Sequence, residues 1–265
     1  MRLGWLTDIH LNFLRPGERA EFFTALQREK LDGVLLGGDI GEARSVCHYL
    51  SEMAEALSVP IYFVLGNHDF YGGSIAAVRN SVAQLAAQSQ WLRWLPVTGV
   101  VPLTSGTALV GHDSWADGRL GDFFGSEVLL NDYIRISDLL CSTKAERYSK
   151  LNALGDEAAD HLERGVREAI DRFQNVIVLT HVPPFREACW HEGGTSSDEF
   201  LPHFACRAVG EQLLEIMRDR PDRAMAVLCG HTHSPGFAQI LNNLVVRTGG
   251  AQYGSPALQQ ILELV

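Results

Sequence analysis

Short apolar runs that end abruptly in polar side chains recur along this sequence. Residues 60–65 read Pro-Ile-Tyr-Phe-Val-Leu, and they are followed by Gly66, Asn67, His68 and Asp69. An apolar, β-rich run of this length that stops at a glycine predicts a buried strand. Packing gives no reason for an amide, an imidazole and a carboxylate at the end of such a strand. We therefore expect these groups to serve a functional site.

The same hydrophobic pattern predicts a layered α/β fold. Strands are predicted at residues 2–7, 32–36, 60–65, 107–110, 176–179, 223–228, 244–247 and 258–264. Helical periodicity is found at residues 16–30, 42–57, 74–89, 143–173 and 205–218. Strict alternation of strand and helix in the first third predicts parallel strands joined by right-handed crossovers. We find no internal repeat and no linker, so we expect a single domain over residues 1–265.

Composition narrows the class of protein. The chain is 46% hydrophobic with a net charge of −10, and an acidic chain disfavours nucleic acid and membrane surfaces as partners. No apolar run approaches the roughly 20 residues that span a bilayer, and the N-terminus is too short for the apolar core of a signal peptide. The five cysteines include no C-x-x-C pair, which indicates reduced thiols. We expect a cytoplasmic protein.

Carboxylates, imidazoles and an amide stand at the ends of the predicted strands. The set is Asp8, His10, Asp39, Asn67, His68, His181, His231 and His233. Neighbouring parallel strands would bring these side chains to one edge of the sheet, and the spacing of two in each Asp-x-His or His-x-His pair places both members on one side. So many ligands exceed the needs of one ion. Mixed nitrogen and oxygen donors suit two adjacent divalent metals, with a shared carboxylate that lowers their repulsion.

These residues form five blocks in a recognisable order. The blocks are Asp8-x-His10, Gly38-Asp39, Gly66-Asn67-His68-Asp69, His181 and Gly230-His231-x-His233. Together they resemble the calcineurin-like metallophosphoesterases, a superfamily of binuclear-metal phosphoesterases. The resemblance implies a four-layer α/β/β/α sandwich, in which two mixed β-sheets are flanked by helices.

The resemblance also implies a role for each block. One metal would be held by Asp8, His10, Asp39 and His233. The other would be held by Asp39, Asn67, His181 and His231, so that Asp39 bridges the two. The sequence leaves the metals open among Mn, Fe, Zn, Co and Ni, and we expect Mn to serve in vitro.

The implied chemistry is hydrolysis by a hydroxide that bridges the metals. Two cations about 4 Å apart lower the pKa of a shared water enough to give hydroxide at neutral pH. The metals and Asn67 would neutralise charge as the phosphorus is attacked. His68 would face the substrate phosphate and, if protonated, would stabilise a phosphate oxygen or protonate the leaving group. Glu42, three positions after the bridging aspartate, is the candidate that orients His68, and Asp69 is the other.

Two departures from related patterns restrict the substrate. The phosphoprotein phosphatases carry Asp-Arg-Gly in the second block, whereas this chain has Ala43 after Glu42. The UDP-diacylglucosamine hydrolases carry Gly-Asn-Arg-Asp where this chain has His68. Both differences disfavour those activities. Cyclic-nucleotide phosphodiesterases share the Gly-Asn-His pattern, but that pattern is too widespread to identify a substrate.

Two segments at strand ends are predicted as lid loops. Residues 112–125 contain Trp115, Asp117 and Arg119, which would form a substrate wall or merely pack against the protein. Residues 183–204 follow His181 and are rich in Trp, His, Gly and Ser. Long loops in this position often cover an active site.

Three functions remain open from the sequence. The favoured one is a phosphodiesterase or phosphomonoesterase that acts on a small soluble phosphoester. A nuclease for single-stranded nucleic acid is the alternative within the enzyme class, with Arg119 and Arg186 as its only basic candidates beside the metals. A catalytically silent metal-binding scaffold is the alternative from another class, and such scaffolds usually lack ligands or the equivalent of His68.

Overall fold

The computed structural model describes residues 1–265. Its strands are β1 (Arg2–Leu6), β2 (Gly33–Leu36), β3 (Ile61–Phe63), β4 (Leu92–Trp94), β5 (Val101–Pro102), β6 (Thr107–His112), β7 (Asn175–Thr180), β8 (Trp190–His191), β9 (Gly194–Thr195), β10 (Ala224–Cys229), β11 (Gly236–Leu241), β12 (Leu244–Thr248) and β13 (Gln260–Glu263). Its α-helices are α1 (Pro16–Arg28), α2 (Val46–Leu57), α3 (Ile75–Gln88), α4 (Leu95–Thr98), α5 (Asp132–Arg135), α6 (Lys144–Arg172), α7 (Leu201–Phe204) and α8 (Arg207–Arg218).

Two mixed sheets organise the fold. The first has the strand order β13-β1-β2-β3-β4 and is parallel except for the edge strand β13. The second has the order β11-β12-β10-β7-β6-β5, with a parallel centre and antiparallel strands at both edges. Strands β8 and β9 form a separate small hairpin. The parallel pairing of β1, β2 and β3 is the one that the alternation of strands and helices in the first third predicts.

Three apolar layers hold four layers of structure together. Leu3 and Trp5 of β1 point between the sheets, where they join a cluster with Leu109 and Leu228 of the second sheet. Leu6 points the other way, into a cluster with helices α1, α2 and α3, as the alternation of side chains along a strand requires. Helices α6 and α8 cover the outer face of the second sheet. The expected α/β/β/α sandwich is confirmed.

Several element boundaries differ from those predicted. Helix α2 begins at Val46 and not at Glu42, because the Ser45 hydroxyl accepts the Glu42 N–H and closes a turn before the helix. Strands β4 and β11 were not predicted. The first has only three residues and is interrupted by Arg93, and the second is a half-exposed edge strand with no clear alternation. None of the helices has the length and apolarity that crossing a bilayer requires.

Candidate metal centre

The polar residues predicted from the strand ends come together at one edge of the molecule. They follow β1, β2 and β3 of the first sheet and β7 and β10 of the second: Asp8, His10, Asp39, Asn67, His68, His181, His231 and His233. The strands within each sheet are parallel, so their carboxyl ends share one edge. The two sheets are packed face to face, and their edges therefore contribute to a single site.

The backbone at this site is held in an uncommon conformation. Positive φ angles of 41–70° occur at five of the predicted ligands: Asp8, His10, Asp39, His231 and His233. A non-glycine residue adopts this left-handed conformation only when its surroundings impose it, and such residues cluster at functional sites. The backbone N–H of Asp8 donates to Gly38 and that of His10 to Asp39, at 3.0 and 2.9 Å, which ties the loops after β1 and β2 together.

A first set of donors surrounds one point. Asp8, His10, Asp39 and His233 offer ligand atoms that all lie within 4.8 Å of one another. His10 Nε2 is 3.1 Å from His233 Nε2 and 3.6 Å from Asp39 Oδ2. His233 Nε2 is 3.4 Å from Asp8 Oδ1. These four residues are the ones that the family resemblance implies for the first metal.

A second set of donors adjoins the first. Asn67 Oδ1 lies 3.0 Å from both His181 Nε2 and His231 Nδ1. Asp39 Oδ1 lies 3.5 Å from the same nitrogen of His181. Asp39 thus directs Oδ2 toward the first set and Oδ1 toward the second, which is the arrangement that a bridging carboxylate needs.

The donor atoms are spaced as metal ligands are. Bonds of about 2.1 Å that meet at roughly 90–120° place two ligand atoms about 3.0–3.6 Å apart. The distances between His10 and His233, His233 and Asp8, and Asn67 and His181 are 3.1, 3.4 and 3.0 Å. The residues present therefore fit two divalent cations with mixed nitrogen and oxygen ligands.

The charges in the site also call for cations. Asp8 and Asp39 are buried, and their basic partners are all histidines at 3.4–3.9 Å. Burial, followed by the neighbouring Asp8 carboxylate, raises the pKa of Asp39 well above its ordinary value. Burial lowers the pKa of His10 and His231 to about 3, so these rings are neutral. His233 differs, because Asp8 raises its pKa against the effect of burial, and the pKa of Asp8 is lowered in turn. The Asp39 carboxylate has no such partner, so both carboxylates are ionised together only when further positive charge lies between them.

Backbone carbonyls fix the tautomers of two histidines. His181 Nδ1 donates to the carbonyl of Gly37 at 2.8 Å, and His231 Nε2 donates to the carbonyl of His203 at 3.0 Å. A carbonyl only accepts, so each of these ring nitrogens carries the proton. The other nitrogen of each ring, which faces Asn67, is left with a free lone pair for a metal.

The side-chain amide of Asn67 is oriented by a residue that the sequence analysis missed. Asn67 Nδ2 donates to Asp132 Oδ1 at 2.8 Å, and the hydroxyl of Tyr71 donates to the same oxygen at 2.7 Å. A carboxylate at this position turns the amide so that its oxygen faces the histidines. Asp132 is buried in the short helix α5, far from any strand end, and no sequence pattern marks it.

His68 faces the cleft and is held by stacking. The centre of its ring lies 4.3 Å from that of Tyr71 at an interplanar angle of 29°, and the ring makes no hydrogen bond to protein. The guanidinium of Arg135 lies 4.7 Å from the Tyr71 ring centre, and Glu42 pairs with Arg135 at 3.0 Å. The structure therefore does not bring Glu42 to His68. The two residues are separated by Arg135 and Tyr71, and the expected direct contact is absent.

Asp69 supports the site without facing it. The side chain is fully buried, with Oδ1 accepting from the N–H groups of Ile40 and Gly41 and Oδ2 from that of Gly66, at 2.8–2.9 Å. These bonds join the loop after β2, which carries Asp39, to the loop after β3. Asp69 is thus a link between two ligand loops, and its side chain makes no hydrogen bond to the His68 ring.

Asn67 and His231 each follow a glycine, because a Cβ atom at the preceding position would collide with a ligand side chain from another strand. A Cβ atom on Gly66 would collide with Asp39 and lie 2.6 Å from Cε1 of His181. A Cβ atom on Gly230 would collide with the Asp8 carboxylate. The Gly-Asn-His and Gly-His sequences are therefore explained by close approach of the backbone to ligand side chains of other strands.

A cleft of about 270 Å³ opens over the metal centre. Its walls combine ligands with residues from three loops: Asp39, Asn67, His68, Tyr71, Leu130, Asn131, Asp132, His191, Phe204, His231, Thr232, His233 and Tyr253. The predicted 183–204 loop contributes two of them, His191 and Phe204. Tyr253 and the 130–132 segment were not anticipated, because no sequence motif marks them.

The other predicted lid segment contributes nothing to this cleft. Within residues 112–125, Trp115 packs against Phe70 and Asp117 is fully buried, where it accepts the N–H of Ala208 at the start of α8. Arg119 pairs with Asp117 and with Asp156. These contacts agree with the expectation that this loop packs against the protein and not with the expectation that it forms a wall of the substrate site.

The sequence matches one protein family. The profile of the calcineurin-like phosphoesterases matches residues 1–235. No curated protein matches the chain significantly.

Solved structures share the fold at low identity. A phosphopantetheinyl hydrolase from Mycobacterium tuberculosis superposes with a TM-score of 0.64 at 14% identity, over 94% of this chain and 89% of the other. A dimetal phosphatase from Danio rerio superposes with a TM-score of 0.61 at 15% identity, over 97% of this chain and 89% of the other. Identities in this range establish similarity of fold.

Proposed function

Because this chain belongs to the calcineurin-like phosphoesterase family and is a metal-dependent phosphoester hydrolase, we propose that it hydrolyses a small phosphoester at a pair of divalent cations. The first cation is held by Asp8, His10, Asp39 and His233, and the second by Asp39, Asn67, His181 and His231. Either a phosphodiester or a phosphomonoester is compatible with this proposal.

The proposal rests mainly on the Asp39 carboxylate, whose two oxygens face different donor sets. One oxygen lies 3.6 Å from His10 and the other 3.5 Å from His181. One buried residue thereby joins two donor sets that would otherwise be separate. Two divalent cations bound here would lower the pKa of a shared water and supply hydroxide at neutral pH. Manganese is the cation that we expect to support activity in vitro.

The chain itself supplies the remaining groups. His68 has a partly exposed ring in the cleft, beside Asp39. The ring makes no hydrogen bond to protein, whereas the backbone N–H of His68 donates to Asp39 Oδ1 at 2.9 Å. Burial lowers the pKa of this ring to about 2 in the free protein, and a bound phosphate would raise it. We assign His68 the role of contacting a phosphate oxygen and, once protonated beside that phosphate, of giving a proton to the leaving group. Asn67 presents its amide oxygen to the second cation and is held there by Asp132. Tyr71 fixes the plane of the His68 ring.

A small substrate agrees better with the cleft than a nucleic acid does. No lysine or arginine is among the residues that line it, whereas strong nucleic-acid binding needs several cationic contacts to phosphates. Arg119 is engaged with Asp117 and Asp156, and Arg186 pairs with Asp198 at 2.6 Å. Neither of the two basic residues considered for a nuclease lines the cleft.

A catalytically silent scaffold is also disfavoured. Such a protein has no need of a substrate-facing imidazole, yet His68 is present and faces the cleft. All seven predicted ligands are present as well and lie in two convergent sets.

A Mn-loaded activity panel tests the proposal. The panel compares an activated monoester, bis-p-nitrophenyl phosphate, cyclic nucleotides and single-stranded DNA, using wild type, Asp39→Asn and His68→Ala. Asp160→Asn and His48→Ala serve as matched controls, because Asp160 lies exposed on α6 and His48 is 68% exposed on α2. We expect the wild type and both controls to hydrolyse at least one small ester rapidly. If the wild type is no faster than Asp39→Asn and His68→Ala on every substrate, the proposal is wrong.

A further inference from the structure

An exposed aromatic ring stands beside the metal centre. Tyr253 is 47% exposed and lines the cleft. Its ring centre lies 4.6 Å from that of His10 and 5.1 Å from that of His233. Phe13, which is 53% exposed, supports the same ring at 4.7 Å. Large aromatic side chains this exposed are costly to leave in water, and next to a reactive centre they indicate a binding surface.

The loop that carries Tyr253 is built into the site. The N–H of Ala251 donates to the carbonyl of His233 at 3.1 Å, so the loop is anchored on a predicted metal ligand. Gln259 holds the base of the loop through two hydrogen bonds to Gly250, at 2.8 and 2.9 Å. The position of the ring relative to the metal centre is therefore fixed by the fold.

A second aromatic surface lies by the other donor set. The ring of Phe204 is 5.5 Å from that of His231 and 5.4 Å from that of His191, and both Phe204 and His191 line the cleft. Aromatic rings thus flank the metal centre on the side of each donor set. Tyr71 differs from these, since its ring is already covered by His68 and Arg135.

The charge of the cleft restricts the phosphate. Its lining contains no lysine or arginine but includes Asp132 in addition to the bridging Asp39. A phosphomonoester is close to doubly charged at neutral pH, because its second pKa is about 6. A phosphodiester carries one negative charge. The charge of two divalent cations here would be opposed by the carboxylates of Asp8, Asp39 and Asp132, with no guanidinium or ammonium group in the lining, and this balance suits the singly charged ester better.

We propose, on the basis of the function proposed above, that the natural substrate is a phosphodiester that carries a planar aromatic group beside the phosphate, and that Tyr253 stacks on this group. The group has the size of a phenyl ring or a nucleobase. The phosphate contacts the metals and His68, while the ring lies against Tyr253, with Phe13 behind it. Replacing an aromatic side chain on which a ligand ring stacks lowers the affinity for that ligand by about tenfold or more.

Binding of simple esters tests this in a His68→Ala background, which is expected to slow turnover so that the diesters remain intact during the titration. In this experiment, wild type means the His68→Ala protein with Tyr253 unchanged. Calorimetry on the Mn-loaded protein compares diphenyl phosphate, diethyl phosphate and phenylphosphonate at a pH well above the second pKa of phenylphosphonate, where this aryl analogue is doubly charged. The proteins are wild type, Tyr253→Ala, Tyr253→Phe and the control Phe237→Ala. Phe237 is 48% exposed on β11 and does not line the cleft.

The three ligands give separate expectations. We expect wild type to bind diphenyl phosphate about tenfold or more tightly than diethyl phosphate, and more tightly than phenylphosphonate. Tyr253→Ala should lose the preference for the aryl diester and leave diethyl phosphate unchanged, whereas Tyr253→Phe and Phe237→Ala should keep it. Equal affinity for the two diesters, a preference for phenylphosphonate, or an equal loss of both diesters in Tyr253→Ala would overturn the proposal.

Turnover of bis-p-nitrophenyl phosphate separates this inference from the proposed function. An aryl preference without any Mn-dependent hydrolysis would leave the recognition by Tyr253 standing and remove the hydrolytic role. Hydrolysis without an aryl preference would support the hydrolytic role and overturn the recognition by Tyr253.

Discussion

Asp132 accepts a hydrogen bond from the side-chain amide of Asn67 at 2.8 Å, and in doing so it decides which end of that amide faces the metal centre. Asparagine can present either oxygen or nitrogen, and only the oxygen is a metal ligand. Tyr71 donates to the same carboxylate oxygen. The second cation site therefore depends on a residue that touches neither cation.

The first prediction concerns this contact. We expect Asp132→Ala to weaken the second Mn²⁺ by about 10–100-fold, the effect typical of losing a partner that orients a ligand. Asp132→Asn keeps an acceptor oxygen for Asn67 and should bind both ions nearly as wild type does. Calorimetric titration with Mn²⁺ measures both affinities. Two ions bound with wild-type affinity by Asp132→Ala would show that the orientation of Asn67 does not depend on Asp132.

A second prediction separates His68 from Glu42. His68→Ala should lower kcat by about 10²–10⁴-fold, the usual contribution of a positioned acid, with the metal content unchanged. Glu42→Gln should change kcat by less than about fivefold, because an exposed ion pair contributes at most about 1 kcal/mol. Steady-state kinetics on an activated ester measures both effects. Equal losses in the two variants would restore the direct role for Glu42 that the sequence suggested.

A third prediction concerns the glycine before Asn67. Gly66→Ala places a Cβ atom against Asp39 and His181, so both donor sets must shift, and we expect loss of Mn²⁺ binding and of activity. The matched control is Gly17→Ala in α1, where a Cβ atom meets nothing within 4 Å and the exchange favours the helix by roughly 0.5–1 kcal/mol. Metal analysis and thermal unfolding measure the outcomes. A Gly66→Ala protein that binds two ions would contradict the steric explanation.

A fourth prediction concerns pH and lies away from the metal centre. Burial, and then Arg79 and His161, hold the pKa of His112 well below its ordinary value of 6.5. Arg79 itself is paired with Asp113 and Glu157. Below pH 6.5 the unfolded chain binds a proton that the folded protein does not, so the stability contributed by neutral His112 is present above pH 6.5 and is lost as the pH falls.

The variant His112→Asn tests this sign. Asparagine keeps an acceptor for the N–H of Ser114, which Nδ1 of His112 accepts at 3.0 Å, but it does not titrate. Denaturant unfolding at saturating Mn²⁺ should show a slope of stability against pH that is shallower than in wild type by up to about 1.4 kcal/mol per pH unit below 6.5. Equal slopes for the two proteins would mean that His112 titrates normally in the folded state.

The sequence was most informative where a strand ends. Apolar runs that stop at Asp8, Asp39 or His181 predict both parallel strands and a shared edge, because parallel topology forces the carboxyl ends together. The family blocks then imply how the ligands are divided between two ions, and the observed distances support that division. The close approach of Gly66 to Asp39 explains why one of these blocks contains a glycine.

The sequence was least informative about contacts between loops. Asp132 and Tyr253 approach the site only through tertiary packing, and neither carries a local pattern. Glu42 was expected to contact His68 because of its spacing from Asp39. The Glu42 carboxylate instead forms an ion pair with Arg135, which is 93 positions later in the chain. Partners of this kind are set by how distant segments pack, which hydrophobic periodicity does not describe.

The central claim is that two cations share Asp39, and anomalous diffraction from Mn-loaded crystals tests it most directly. We predict two manganese peaks about 3.5–4 Å apart. One should contact Asp8, His10 and His233, the other Asn67, His181 and His231, and Asp39 should contact both. A single peak, or two peaks of which only one touches Asp39, would contradict the account.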